Sequence, residues 1–116
     1  MNLTACLLMP PSLTAADVTN ARDIIEDDYT ELWFLVAELR KAHPAASLAQ
    51  LNALTQQLVV VLLHEHGMQL FDPFTEQPLM LLPAQAGAMV DDLFCTLNRM
   101  PDIGDGIWLG IPLRRV

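Results

Sequence analysis

The side chains best suited to chemistry in this chain are His64 and His66, which flank Glu65, and the thiol of Cys95. Two imidazoles at i and i+2 diverge on a helix and share a face only on a strand. A zinc site needs about four ligands, and His43 and Cys95 are the only plausible soft additions. The pattern therefore reads as the polar end of a helix before Gly67, with no metal and no cofactor expected. Cys95 lies between Phe94 and Thr96 in an amphipathic stretch and reads as core, not as a nucleophile. No Gly-x-Ser-x-Gly turn is present to hold a serine nucleophile. The carboxylate pairs Asp27-Asp28 and Asp91-Asp92 are adjacent, so on a helix they diverge. Acid–base work needs carboxylates converging on a cleft with separated pKa values, and both pairs read as solvated faces. Gly104-Asp105-Gly106 lacks the further glycines and the lysine of a phosphate loop. These residues together predict a protein that is not an enzyme.

The elements that must carry these residues belong to a chain of 116 residues, the size of one domain. Apolar residues make up 53% and charged residues 17%, against about 25% charged in an average soluble domain. Mean hydropathy is +0.33. A chain this apolar either buries an unusual share of itself or keeps apolar surface for a partner. The net charge is −8, from 14 acidic and 6 basic residues. Nucleic acid and membrane surfaces are disfavoured as partners, because both are anionic and are contacted through Lys and Arg. Cys6 and Cys95 read as free thiols, not as a disulfide scaffold. Leu3-Thr4-Ala5-Cys6 lacks the basic start and apolar run of a lipoprotein signal. The longest aliphatic run, Leu58 to Leu63, is far short of the ~20 residues that span a bilayer.

Residues 1–11 end in Pro10-Pro11 and read as an extended arm. Thr14 and Asp17 form a capping-box pattern. Apolar residues at helical spacing follow through Val18, Ala21, Ile25, Leu32, Leu35, Val36 and Leu39, predicting a helix over 14–42 with a break near Asp27-Asp28. Arg40, Lys41 and His43 suit its C-terminal dipole, and Pro44 stops it. Ser47 caps a second helix over 48–64. Its second half is apolar on every side and so reads as buried, although the valine triplet leaves a strand open for 58–63. Gly67 is a left-handed stop. Residues 68–82, with Asp72-Pro73 and Pro78, read as a loop. Pro83 starts a helix over 83–100. The seam expected to be buried comprises Leu35, Leu39, Leu54, Leu58, Val61, Leu62, Val90, Leu93, Phe94 and Leu97.

The expected architecture is all-α: a compact bundle of three or four helices over 12–101, with the N-terminal arm before it. A flexible apolar C-terminal tail over 102–116 follows the hinge at Asp102 to Gly106. Such a tail docks on its own domain or on a partner. Apolar side chains in the loop and tail, namely Met68, Leu70, Phe71, Phe74, Trp108 and Ile111, are the candidates for partner binding, since loops lie on the surface.

Residues 58–100 resemble a known family. An aliphatic helix runs into His64-Glu65-His66-Gly67, then Met68-Gln69-Leu70-Phe71 and a polar segment from Asp72 to Glu76. A helix with Ala88-Met89-Val90-Asp91-Asp92-Leu93-Phe94 follows, ending Leu97-Asn98-Arg99-Met100. This is similar to the small tail assembly chaperones of long-tailed bacteriophages, which carry an Asp-Glu-x-Gly-x-x-Leu-Phe turn and an Ala-x-x-Asp-x-Leu-Phe helix. His64 and His66 stand where that family has acidic residues, and Pro78 and Pro83 fall in its polar segment. The resemblance implies a non-enzymatic, all-α protein that binds the tape measure protein and keeps it soluble during tail tube assembly. The tail tube protein is a further candidate partner, and self-association a further outcome. It also implies action in the host cytoplasm and absence from the mature virion. The net charge of −8 leaves an alternative: a small acidic protein that inhibits a host enzyme by occupying a basic groove.

Overall fold

The computed structural model describes residues 12–27, 30–72, 74–99, 101 and 108–110, the last three by backbone alone. Among these residues the chain forms α1 (Ala15–Asp27), β1 (Thr30–Glu31), α2 (Leu32–Ala42), α3 (Leu48–His66), β2 (Gln69–Phe71), α4 (Pro83–Leu97) and β3 (Trp108–Gly110). It is an all-α bundle with a small sheet attached. The expected helix over 14–42 is broken where the acidic run lies, α1 ending at Asp27 and α2 starting at Leu32. Residues 58–63 are helix throughout.

Local chemistry sets the helix ends. The N–H of Thr14 donates to Asp17 Oδ2 at 3.0 Å, and the N–H of Asp17 donates to Thr14 Oγ1 at 3.1 Å. Ser47 and Gln50 make the same reciprocal pair at 2.8 and 3.1 Å. In each case two donors orphaned at a helix start are satisfied at once. Pro83 opens α4, and Gln85 Oε1 reaches back to the N–H of Leu82 at 2.9 Å. Gly67 ends α3 with φ +66°. The N–H groups of Gly67 and Met68 both reach Leu62 O, closing the helix and turning Met68 inward. A Cβ at Gly67 would meet no atom within 4 Å, so Gly67→Ala should cost only the left-handed backbone penalty of about 1–2 kcal/mol. Urea unfolding of that variant checks the figure.

Helix α3 is the axis of the core and packs against α1, α2 and α4. Its Leu51, Leu54, Leu58, Val59, Leu62 and Leu63 are buried with Ile25 of α1, Leu35, Val36 and Leu39 of α2, and Val90 and Phe94 of α4. Thr55 is fully buried, and its hydroxyl donates to Leu51 O at 2.6 Å, so no polar group is stranded there. The expected seam is found in large part, but Val61, Leu93 and Leu97 are only half-buried. Val60 is half-buried too, so the all-apolar half of α3 is not enclosed on every side by the described residues.

The sheet has strand order β1-β3-β2, antiparallel throughout. Leu109 pairs with Thr30 on one side and Leu70 on the other, and Trp108 pairs with Glu31 and Phe71. This corrects two expectations. Residues 68–82 are not all loop, since Gln69–Phe71 is a strand. Within the expected flexible tail, Trp108–Gly110 is the middle strand of the sheet, so this part of the tail docks on its own domain. Residues 1–11, 102–107 and 111–116 lie outside the described residues.

Candidate functional site

The expected binding residues divide sharply. Met68, Leu70 and Phe71 are 1%, 0% and 3% exposed, so the expectation that they form an outer surface is corrected. The Gly67 turn sends Met68 into the core, where Leu70 of β2 joins it, and Phe71, the next residue of the strand, is buried as well. The side chain of Trp108 and the whole of Ile111 lie outside the described residues. Phe74 alone of the set is seen in the open, at 93% exposure.

Phe74 stands on a loop that its own hydrogen bonds make compact. Asp72 Oδ1 accepts from the N–H groups of Phe74 at 2.7 Å and Thr75 at 3.2 Å. The N–H of Glu76 donates to Asp72 O at 2.9 Å, and that of Asp72 to Gln77 O at 3.1 Å. An aspartate mimicking a backbone turn in this way explains the polar stretch after β2. The returning chain bridges Phe71 at Pro78, and the N–H of Leu79 donates to Leu70 O at 2.9 Å. The Gln69 amide then holds both sides of the Leu81 backbone, at 3.2 and 3.4 Å.

Beyond the bridge, alternate residues face opposite ways. Leu79 and Leu81 pack against the core, while Met80 and Leu82 are 76% and 66% exposed. Met80 takes φ +54°, an uncommon conformation for a non-glycine residue that re-aims the chain between two anchored leucines. Phe74, Met80 and Leu82 are thus three exposed large apolar side chains along one hydrogen-bonded loop. Sequence reasoning expected Phe74 to be exposed and did not single out Met80 and Leu82. The available signal was the alternation over residues 79–82, where Leu79 and Leu81 are the inner pair.

The residues with chemical potential are placed apart. His64 is exposed and His66 half-buried at the end of α3. His43 lies elsewhere, its Nε2 2.8 Å from Asp17 Oδ2. Among the described residues no three His, Cys, Asp or Glu side chains converge as a metal site. Cys95 is exposed, which corrects its reading as core. Its thiol lies 3.7 Å from Asp91 Oδ1, and the charge of that carboxylate raises the thiol's pKa above the usual value. A nucleophile needs the opposite shift.

The Asp17–His43 pair joins the start of α1 to the end of α2 beside a cleft of about 230 Å³ lined by Asn20, Leu35, Glu38 and Leu39 among others. Burial pushes the Asp17 carboxyl up. The bonds from His43 and from Thr14, with the charge of His43, outweigh it and hold the pKa below 3.8. A carboxyl whose folded pKa is depressed stabilises the fold above its unfolded pKa, and that contribution is lost as pH falls through the folded value. Wild type should therefore lose more of its stability than Asp17→Asn as pH falls from 5 towards 2, read by thermal melts across that range.

Comparison of the chain with protein-family models, with curated proteins and with solved structures finds no match. Among the described residues no helix is long and apolar enough to cross a membrane.

Proposed function

We propose that this protein is a non-enzymatic tail assembly chaperone of the kind made by long-tailed bacteriophages. In this reading it binds the tape measure protein and keeps it soluble in the host cytoplasm while the tail tube assembles, and it leaves before the virion is complete. The observation that carries the proposal is the exposure of three large apolar side chains, Phe74, Met80 and Leu82, along one hydrogen-bonded loop. Single exposed apolar residues are ordinary; three within nine positions support reading the loop as a binding surface. The loop falls inside residues 58–100, the stretch that resembles the chaperone family. The all-α bundle fits the same reading, and a net charge of −8 would keep a chaperone–client complex dispersed.

The test is co-expression with the tape measure protein encoded in the same genome, then affinity purification at about 1 M salt, where the Debye length is only about 3 Å. Apolar contact should survive that salt or strengthen in it, so the expected result is a complex that stays bound. A complex that forms at low salt and dissolves at high salt would favour the acidic inhibitor of a basic groove instead.

A further inference from the structure

The loop of Phe74, Met80 and Leu82 sits in a stretch whose charge has one sign. Residues 42–98 contain no Lys or Arg and carry Glu65, Asp72, Glu76, Asp91 and Asp92, five of the chain's eight net negative charges. On the described helices the cations lie on α1 and α2. Arg22 pairs with Glu26 at 3.6 Å, Lys41 pairs with Glu38 at 2.8 Å, and Arg40 precedes Lys41. Glu76 belongs to the loop itself. It is exposed, like Phe74 two residues before it and Met80 four residues after it. Phe74 and Glu76 also share one turn: the N–H of Phe74 donates to Asp72 Oδ1 at 2.7 Å, and that of Glu76 to Asp72 O at 2.9 Å. Glu76 takes φ +58°, a conformation that glycine adopts without steric cost. The backbone of the turn therefore does not itself call for a glutamate.

We infer that the client segment taken by this loop is apolar with Lys or Arg beside its apolar residues. The inference rests on reading the loop as the client-binding surface. Contact with Phe74, Met80 and Leu82 supplies the affinity, and charge supplies the choice of segment. A cationic side chain flanking the client's apolar residues meets Glu76 on the same turn as Phe74, with no Lys or Arg of residues 42–98 to compete for it. An acidic side chain in its place meets a surface of its own sign. The same charge disfavours a second copy of this chain as occupant, since it would bring one body of net charge −8 against another.

The test measures binding of the full chain to three fluorescein-labelled peptides by anisotropy. The peptides share one pattern of Leu, Phe and Ala, and the intervening positions are Lys in the first, Gln in the second and Glu in the third. We expect the Lys peptide to bind about tenfold tighter than the Glu peptide at about 0.15 M salt, with the Gln peptide between them. At about 1 M salt, where the Debye length is about 3 Å, all three should stay bound and agree within about twofold. Glu76→Lys should cut the preference about threefold or more, with circular dichroism and Tm unchanged. Phe74→Ser with Leu82→Ser should weaken all three peptides about tenfold or more. Equal binding of the three peptides, no binding of any, or a preference that Glu76→Lys leaves intact would overturn the inference and leave the chaperone reading standing. So would Lys-peptide binding that survives Phe74→Ser with Leu82→Ser, because charge alone would then hold it. A Lys preference in a protein that fails to keep the tape measure protein soluble would support this client chemistry and overturn the chaperone reading instead.

Discussion

Phe71→Asp should unfold the protein, while Phe74→Asp, three residues further on, should leave its Tm unchanged. Phe71 is 3% exposed and Phe74 93%. Replacing Phe71 forfeits about 1.5–3 kcal/mol of side-chain burial. It also places a carboxylate in the core without a designed partner, which costs several kcal/mol more or forces the group to neutralise. Their sum rivals the 5–15 kcal/mol that holds a typical domain together. Phe74 has almost no burial to lose, so its substitution should alter binding alone. Thermal melts of the two variants, followed by client pull-down with Phe74→Asp, separate the roles. On the sequence alone Phe71→Asp is expected to abolish binding in a folded protein; its burial reassigns that phenotype to Phe74.

The second large effect is expected at Leu109. Its backbone sits in the middle strand, opposite Thr30 of β1 and Leu70 of β2. A proline there has no N–H to give the ladder, and central strands exclude it. Leu109→Pro should cost about 2–4 kcal/mol through a lost bond, an orphaned partner group and steric displacement of the strand. The urea midpoint should fall with little change in slope. A midpoint equal to wild type would mean that Trp108–Gly110 adds nothing to the sheet. β1 and β2 do not pair with each other, so the bundle's two edge strands meet only through this segment.

What could be read in advance follows from the range of the interactions. The caps at Thr14-Asp17 and Ser47-Gln50 and the stop at Gly67 are set by side chains within three residues, and each is legible in the sequence. So is the helical spacing of Leu54, Leu58 and Leu62. The sheet was not legible. Strands of two and three residues show no period, and Leu109 meets Thr30 and Leu70 across long stretches of chain. Once those pairings are missed, Met68, Leu70 and Phe71 look like loop residues free to bind, when the Gly67 turn and β3 enclose them. His43 does end a helix, as its place in the sequence suggests, but its partner is set by tertiary packing: its Nε2 lies 2.8 Å from Oδ2 of Asp17 on α1. Phe74 was found because exposure at a turn tip is local: Asp72 builds the turn from its own side chain.

The central claim, that the exposed apolar side chains of the 72–82 loop cover an apolar client, is tested most directly by measuring how much tape measure protein stays soluble when co-expressed with two versions of this chain. One is wild type and the other carries Phe74→Asp and Leu82→Asp. Phe74 and Leu82 are largely exposed, and position 82 is the N-cap of α4, where an aspartate is favoured, so the variant should fold with a Tm no lower than wild type. The account predicts that wild type keeps the client in the supernatant and that the variant leaves it in the pellet. A client equally soluble with either version, or insoluble with both, would contradict it.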